Sequence, residues 1–327
     1  MTAKPIAYSP FFHLQAKKEL STLLRLPVGE IKTIVKTLTA HSEKYYHVFM
    51  LDQKGKKRQV EEPEEPLKTL HARIKNLFMR TEVPTWLISG QKGKNITDNA
   101  RPHIDADFVS CVDIEKFYKH VARERVYQMF LYTFNTSPDV AYLLTELIMY
   151  HDTKTGQYFI PTGSPCSQVV AFWAYYQTFN NISDYVTQSG MTMTLYVDDL
   201  TLSFNRPIPS RIINNINNRL KSVGLSLKLS KIKHYGPRDY KVITGNCITP
   251  QHELVPTNKL RRSISDMVKN KKLADFTPQQ LRTLNGKIAA THLQSPDTFL
   301  PLHGKVKHIL KQKSVLQKGK TSNSKRQ

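Results

Sequence analysis

The residues best suited to chemistry in this 327-residue sequence are aspartates at two places. Asp198 and Asp199 are adjacent within MTMTLYVDDLTLSF, residues 191–204. Met191, Met193, Leu195 and Val197 alternate with Thr192, Thr194 and Tyr196, and beyond the acidic pair Leu200, Leu202 and Phe204 alternate with Thr201 and Ser203. Period two on both sides of a short polar break predicts a β-hairpin with both aspartates at its tip. Adjacent carboxylates repel unless a cation lies between them. Hard divalent ions such as Mg²⁺ accept carboxylate oxygens and keep positions open for phosphate oxygens. An Asp-Asp pair alone is far more often a solvated turn, so the rest of the chain must decide its meaning.

Asp113 supplies a third carboxylate. It closes the apolar stretch FVSCVD within residues 108–121 and precedes IEKFYKHV, so a short strand is expected to end there as a helix begins. Stabilisation by the helix dipole explains an aspartate at that position equally well. Between Asp113 and the acidic pair lies FIPTGSPCSQVV, residues 159–170, a Pro/Gly/Ser loop. It leads into an almost uncharged helix through residue 181, the composition of a helix buried under a sheet. Taken together and in this order, the parts suit two-metal phosphoryl transfer. One ion lowers the pKa of an attacking 3′-hydroxyl and a second steadies the leaving pyrophosphate.

The remaining elements must position these groups. Residues 10–41 read as two amphipathic helices, with Val28, Ile31, Ile34, Val35 and Leu38 at helical spacing. Residues 45–60 read as a hairpin turning at Lys54-Gly55, whose second arm carries Lys56, Lys57 and Arg58. Cations on a stiff ribbon suit phosphate contact, although solvated lysines fit Lys56 and Lys57 equally well. EEPEEP, residues 61–66, follows as a rigid acidic turn, and Leu67, Leu70, Ile74, Leu77 and Phe78 mark the next helix. Residues 90–103, GQKGKNITDNARPH, read as a polar loop. Past the acidic hairpin come a helix over 212–223, stopped at Gly224, and a strand over 240–248, YKVITGNCI. Basic helices over 258–272 and 276–290 precede a flexible, acid-free basic end from about residue 317.

Bulk properties narrow the partners. Hydrophobic residues make up 39% of the chain, enough for a core, and the length calls for two or three subdomains. A formal charge of +22 favours a polyanion such as nucleic acid. No apolar run approaches the ~20 residues of a membrane span, and no signal-peptide pattern is visible, so no membrane partner and a cytoplasmic location are expected. Cys111, Cys166 and Cys247 are odd in number and lack CxxC spacing, which argues for reduced thiols.

These motifs together resemble bacterial retron reverse transcriptases. YVDD is similar to that family's xxDD hairpin, DIEKFY to its first palm motif, and IPTGSPCSQ to its (L/I)PxGxPxS loop. NARPH, residues 99–103, is similar to the NAxxH element typical of retron enzymes, and Ile243-Thr244-Gly245 to their VTG element. The resemblance implies an α+β, right-hand polymerase fold of fingers, palm (an antiparallel sheet packed on helices) and helical thumb. The expected division is 1–44 N-terminal helices, 45–107 fingers, 108–248 palm with part of the fingers inserted at about 124–160, 249–316 thumb, and 317–327 tail.

It also implies roles for individual residues. Asp113, Asp198 and Asp199, with the Ile114 carbonyl, would hold two Mg²⁺ ions, Mn²⁺ being a possible substitute. Tyr118 would exclude a 2′-hydroxyl, Arg58 would meet the triphosphate, and Thr162 and Gly163 would line the nucleotide pocket. Lys231 would protonate the leaving pyrophosphate. RNA contacts would fall on Asn99 and His103 and, in the thumb, on Lys259, Arg261, Arg262, Lys269, Lys305 and Lys307. The partners implied are a cognate noncoding RNA serving as template and 2′-hydroxyl primer, its branched DNA product, an effector protein in antiphage defence, and host RNase H. The chain departs from the family at Thr162, where Gln is frequent, at Gln168, at residues 117–120 and at Lys228. Two other readings stand beside this one: a non-catalytic RNA-binding scaffold, and an intron-type or diversity-generating reverse transcriptase.

Overall fold

The computed structural model describes residues 4–53, 55–269 and 271–323. The expected turn residue Lys54 and residues 324–327 of the expected tail lie outside the described residues. The fold is α+β. In chain order the strands are β1 (Tyr46–Gln53), β2 (Lys56–Pro63), β3 (Phe108–Asp113), β4 (Tyr150–Asp152), β5 (Gln157–Phe159), β6 (Thr192–Tyr196), β7 (Asp199–Phe204), β8 (Lys233–Tyr235), β9 (Lys241–Ile243), β10 (Asn246–Ile248) and β11 (Leu254–Pro256). Among the described residues they form an antiparallel β1-β2 ribbon, a β4-β5 hairpin, a β11-β10-β9 sheet and a four-stranded sheet in the order β6-β7-β3-β8.

The chain divides into two compact units. The first comprises Met1–Lys94, Ser110–Leu202 and Ile208–Lys233; the second comprises Asn95–Val109, Ser203–Pro207 and His234–Gln327. The first is built on an aromatic core in which Phe11 meets Phe78 at 4.5 Å between ring centroids, and Phe130 and Phe134 edge-on, with Trp173 against Phe134. The helices Val28–His41 and Leu67–Phe78 bury Ile31, Ile34, Val35 and Leu38, and Leu67, Leu70, Ile74 and Leu77, as their periodicity requires. The second unit has its own core of Ile264, Phe276, Leu281, Leu284, Ile288 and Val306. One of its helices, Pro278–His292, starts where the sequence signals it should. Thr277 Oγ1 accepts the Gln280 amide at 3.2 Å, and Gln280 Oε1 accepts the Thr277 amide at 3.0 Å.

Several elements differ from the sequence expectation for identifiable reasons. The acidic segment after Arg58 is not all turn: β2 continues to Pro63, because Glu61 is buried with partners for its carboxylate. Residues 90–103 are not simply a loop, since Asn95 caps a short helix, Ile96–Ala100, through the Thr97 amide at 2.7 Å. The strand expected over 240–248 is a hairpin, β9 and β10, because Thr244 and Gly245 adopt φ values of 44° and 85°. The long helix after the Pro/Gly/Ser loop breaks at Tyr175 into Ser167–Ala174 and Tyr176–Gln188. At the other end, the backbone of residues 317–323 continues the helix Leu300–Asn323.

His71 braces the first unit from the inside. Fully buried, it places Nδ1 2.6 Å from Ser164 Oγ and Nε2 2.7 Å from the Leu147 carbonyl. Burial lowers its pKa to about 4, from 6.5, so the folded state holds the neutral ring. A lowered histidine pKa adds stability that is complete above pH 6.5 and is lost as pH falls towards 4, a contribution on the order of 3 kcal/mol. Wild type should therefore exceed His71→Gln in urea midpoint at pH 7.5, and this margin should shrink steadily as pH falls to 4.5. A margin independent of pH would contradict the buried neutral imidazole.

Candidate active site

The acidic pair does not share one environment. Asp198 sits in the turn, whereas Asp199 is the first residue of β7. The turn is tight enough to force Val197 to φ 61°, a conformation that β-branched residues avoid. It is held from outside the hairpin. The Val197 amide donates to buried Ser89 Oγ at 2.8 Å, while Leu195 exchanges backbone bonds with Trp86 and Ile88 at 2.8 and 3.0 Å. β7 buries Leu200, Thr201, Leu202 and Ser203 in succession, so both of its faces are covered.

Asp113 reaches the turn because the end of β3 is stitched to it. The Ile114 amide donates to the Asp198 carbonyl at 2.9 Å, and the Asp113 carbonyl accepts the Lys228 amide at 2.8 Å. The Glu115 amide adds a bond to the Ser226 carbonyl at 2.9 Å. On the same segment as Lys228, Lys231 directs its ammonium at both Asp113 oxygens, at 3.0 and 2.9 Å. Lys231 thus meets an aspartate directly, on the side from which residues 226–231 approach.

The electrostatics record how closely these groups crowd. Burial, then the charges of Asp198 and Asp113, push the Asp199 carboxyl up to about 6, with Lys231 and Lys233 opposing. Burial and the Asp113 charge also raise Asp198, against Lys231 and Arg58. Burial lifts the Tyr118 phenol above its usual range, the Asp198 charge adds to this, and Arg58 opposes it. The same field therefore includes Arg58 from β2 and Tyr118 from the short helix Phe117–His120. Ile114 is fully buried, and its amide rather than its carbonyl is the group seen bonded to the turn.

The chemistry of this donor set fits a divalent cation: only carboxylate oxygens, desolvated and mutually repelling. Among the described residues, however, no three His, Cys, Asp or Glu side chains form a ready-made metal cluster. Both Asp113 oxygens are engaged by Lys231 instead. The fit therefore rests on donor chemistry and shared field.

Thr162 and Gly163 lie against β2. The Gly163 amide donates to the Glu61 carbonyl at 3.0 Å, and a Cβ at Gly163 would stand 2.8 Å from that oxygen and 2.9 Å from Glu62 Cα. Nothing larger than hydrogen fits between loop and strand.

The expected RNA contacts divide. Asn99 and His103, expected to contact RNA, are completely buried. Asn99 Nδ2 donates to Thr244 Oγ1 at 3.2 Å, and His103 Nδ1 lies 2.7 Å from Ser203 Oγ, its pKa lowered by burial to about 3. The NARPH segment is thus tied to the Ile-Thr-Gly turn from within. Lys259, Arg262, Lys269, Lys305 and Lys307 are exposed and Arg261 is half-buried. Sequence reasoning missed Ser89, Trp86 and Glu61; for the first two no local signal existed, and Glu61 was hidden in an acidic run.

Residues 44–244 match the family model described as Reverse transcriptase (RNA-dependent DNA polymerase). The chain belongs to this reverse transcriptase family. Among curated relatives, the Retron Se72 reverse transcriptase of Salmonella heidelberg is 27% identical over 234 residues, covering 69% of this chain and 60% of that protein. The Retron Ec86 reverse transcriptase of Escherichia coli is 24% identical over 240 residues, covering 71% of each chain. The chain thus spans about three fifths of the Salmonella relative's length. A telomerase from Candida albicans, solved in complex with a telomeric RNA fragment, is similar in fold at a TM-score of 0.50 and 10% identity, covering 82% of this chain and 59% of that one. A Candida Tropicalis telomerase gives 0.50 at 8% identity, covering 92% and 59%. Among the described residues no helix is long and apolar enough to cross a membrane.

In this reverse transcriptase family member, Gly163→Ala should lower stability by about 1–3 kcal/mol, because β2 backbone rather than a mobile side chain meets the new methyl. Gly29→Ala, in the same unit with open space around it, should be neutral or stabilising. Urea midpoints of the two variants should move apart; equal midpoints would refute the close approach of loop and strand.

Proposed function

We propose that the chain is an RNA-directed DNA polymerase of the retron type. It binds a cognate noncoding RNA, primes from a 2′-hydroxyl of that RNA and builds branched, multicopy single-stranded DNA. The observation that carries the reading is the single electrostatic neighbourhood of Asp113, Asp198, Asp199, Tyr118 and Arg58. Nucleotidyl transfer needs such a set: acidic groups for cations, a cation for the triphosphate and a flat wall beside the sugar. Bound Mg²⁺ would activate the primer hydroxyl and neutralise charge on the triphosphate.

The chain's own residues do the rest. Asp113, Asp198 and Asp199 would hold the cations, Arg58 would steer the triphosphate, and the Tyr118 ring would exclude a ribose 2′-hydroxyl. Thr162 and Gly163 form the pocket wall against β2. Lys231 lies within reach of Asp113 and is the candidate proton donor to the leaving group. The exposed cations Lys259, Arg262, Lys305 and Lys307 suit an RNA stem, which A-form geometry opens to recognition by shape and phosphate charge.

The retron assignment is supported by the curated relatives, both named as retron reverse transcriptases, and by the pairing of NARPH with the Ile-Thr-Gly turn through Asn99 and Thr244; a defence role, an effector partner, host RNase H and a cytoplasmic setting are proposed with it. The division into fingers, palm and thumb at the expected boundaries belongs to the same proposal.

Replacing both Asp198 and Asp199 by Asn should abolish DNA synthesis in an extension assay while RNA affinity stays within about twofold. DNA synthesis persisting in that variant would defeat the proposed site. RNA affinity of the unaltered protein should fall at least about tenfold between 50 and 200 mM salt, as several condensed counterions are released. A flat response in a filter-binding titration would remove the basic helices from the RNA interface.

A further inference from the structure

We propose that Glu61 is a positioning residue for the nucleotide pocket, holding the Thr162–Gly163 loop and the Tyr118 helix in register with the strand that bears Arg58. The inference rests on the polymerase reading above, because it assigns Glu61 to that pocket.

Glu61 has no exposed surface, a position that a carboxylate tolerates only when paired and hydrogen-bonded. Its two oxygens serve different elements. Oε2 accepts the Thr162 amide at 3.1 Å and the Thr162 hydroxyl at 2.8 Å. Oε1 accepts the Lys119 ammonium at 2.5 Å. The backbone joins in, since the Glu61 carbonyl takes the Gly163 amide at 3.0 Å. The Thr162 hydroxyl also stands 3.2 Å from the Gln59 carbonyl, so its neighbours along β2 are both acceptors.

Each route ends at a residue of the proposed pocket. The first passes through Thr162 to Gly163. The second passes through Lys119, whose backbone follows Tyr118 on the helix Phe117–His120 and whose ammonium lies 3.4 Å from the centre of the Phe159 ring. The Tyr118 carbonyl in turn accepts the Ile160 amide at 3.1 Å, which closes the path back to the loop. Arg58 lies three residues before Glu61 on β2.

A hydrophobic side chain would fill the same space without a desolvation cost, but would specify no register. A carboxylate that must satisfy three donors accepts only one placement of loop and helix. Glu61 touches no reacting atom; it acts through Thr162, Gly163 and Tyr118.

The test compares Glu61→Gln, Thr162→Val and Thr162→Ser in primer extension with dNTPs and with rNTPs, and in amide hydrogen exchange of residues 160–164. Glu61→Gln keeps the shape and loses the charge; Thr162→Val removes only the hydroxyl; Thr162→Ser restores it. Glu61→Gln and Thr162→Val should speed exchange in 160–164, raise KM for dNTP about tenfold with kcat within about threefold, and narrow the preference for dNTP over rNTP about tenfold. Thr162→Ser, which keeps the hydroxyl for Glu61, should leave amide exchange in 160–164 at the rate of the unaltered protein. Unchanged exchange in both variants overturns the proposal whether or not the protein polymerises. Faster exchange with unaltered KM and sugar preference also overturns it, leaving Glu61 a purely structural residue. Faster exchange in a protein that makes no DNA even unaltered supports the coupling of Glu61 to the loop and defeats the polymerase reading alone.

Discussion

Carboxylates crowded together out of water repel one another, and the first unit is arranged so that Asp113, Asp198 and Asp199 cannot relieve this by moving apart. Asp113 is bound to its position through the backbone of residues 113–115, and Asp198 through its carbonyl. Lys231, Lys233 and Arg58 contribute positive charge to the same corner. A site that stores repulsion between acids is one in which a divalent cation or a cation-bound triphosphate gains most, since each added positive charge is felt by several acids in a desolvated setting.

Holding such a site requires stiffness in the elements beneath it. Val197 accepts an unfavourable backbone conformation because Ser89 and Trp86 hold the turn from outside the hairpin. Gly163 lies so near β2 that no side chain could intervene, and Glu61 fastens the same contact with its carboxylate. These constraints fix elements around the proposed nucleotide pocket, and none of them can be met by a residue chosen for hydrophobicity alone.

The NARPH segment shows how much the setting of a recognisable motif depends on distant parts of the chain. Asn99 and His103 are polar and sit in a basic chain, so RNA contact is the natural expectation. Both are instead sealed inside the second unit, bonded to Thr244 and beside Ser203. A buried polar group must find partners, and side chains placed far along the chain supply them here.

Much of the site was legible beforehand. Period-two alternation around Asp198-Asp199, an apolar run ending at Asp113 and a Pro-Thr-Gly loop are local patterns, and local patterns set strands, turns and helix starts. Charge composition pointed to nucleic acid for the same reason, since it needs no geometry. Other features depended on contacts between distant segments: that Asp199 belongs to a strand while Asp198 does not, that Lys231 pairs with Asp113, that Glu61 is interior rather than part of an acidic turn, and that Asn99 and His103 face inward. Burial and partnership are properties of pairs brought together by folding. The amino-acid order by itself determined which chemistry this chain can present; only the tertiary structure decided which of its polar residues present it and which hold it in place.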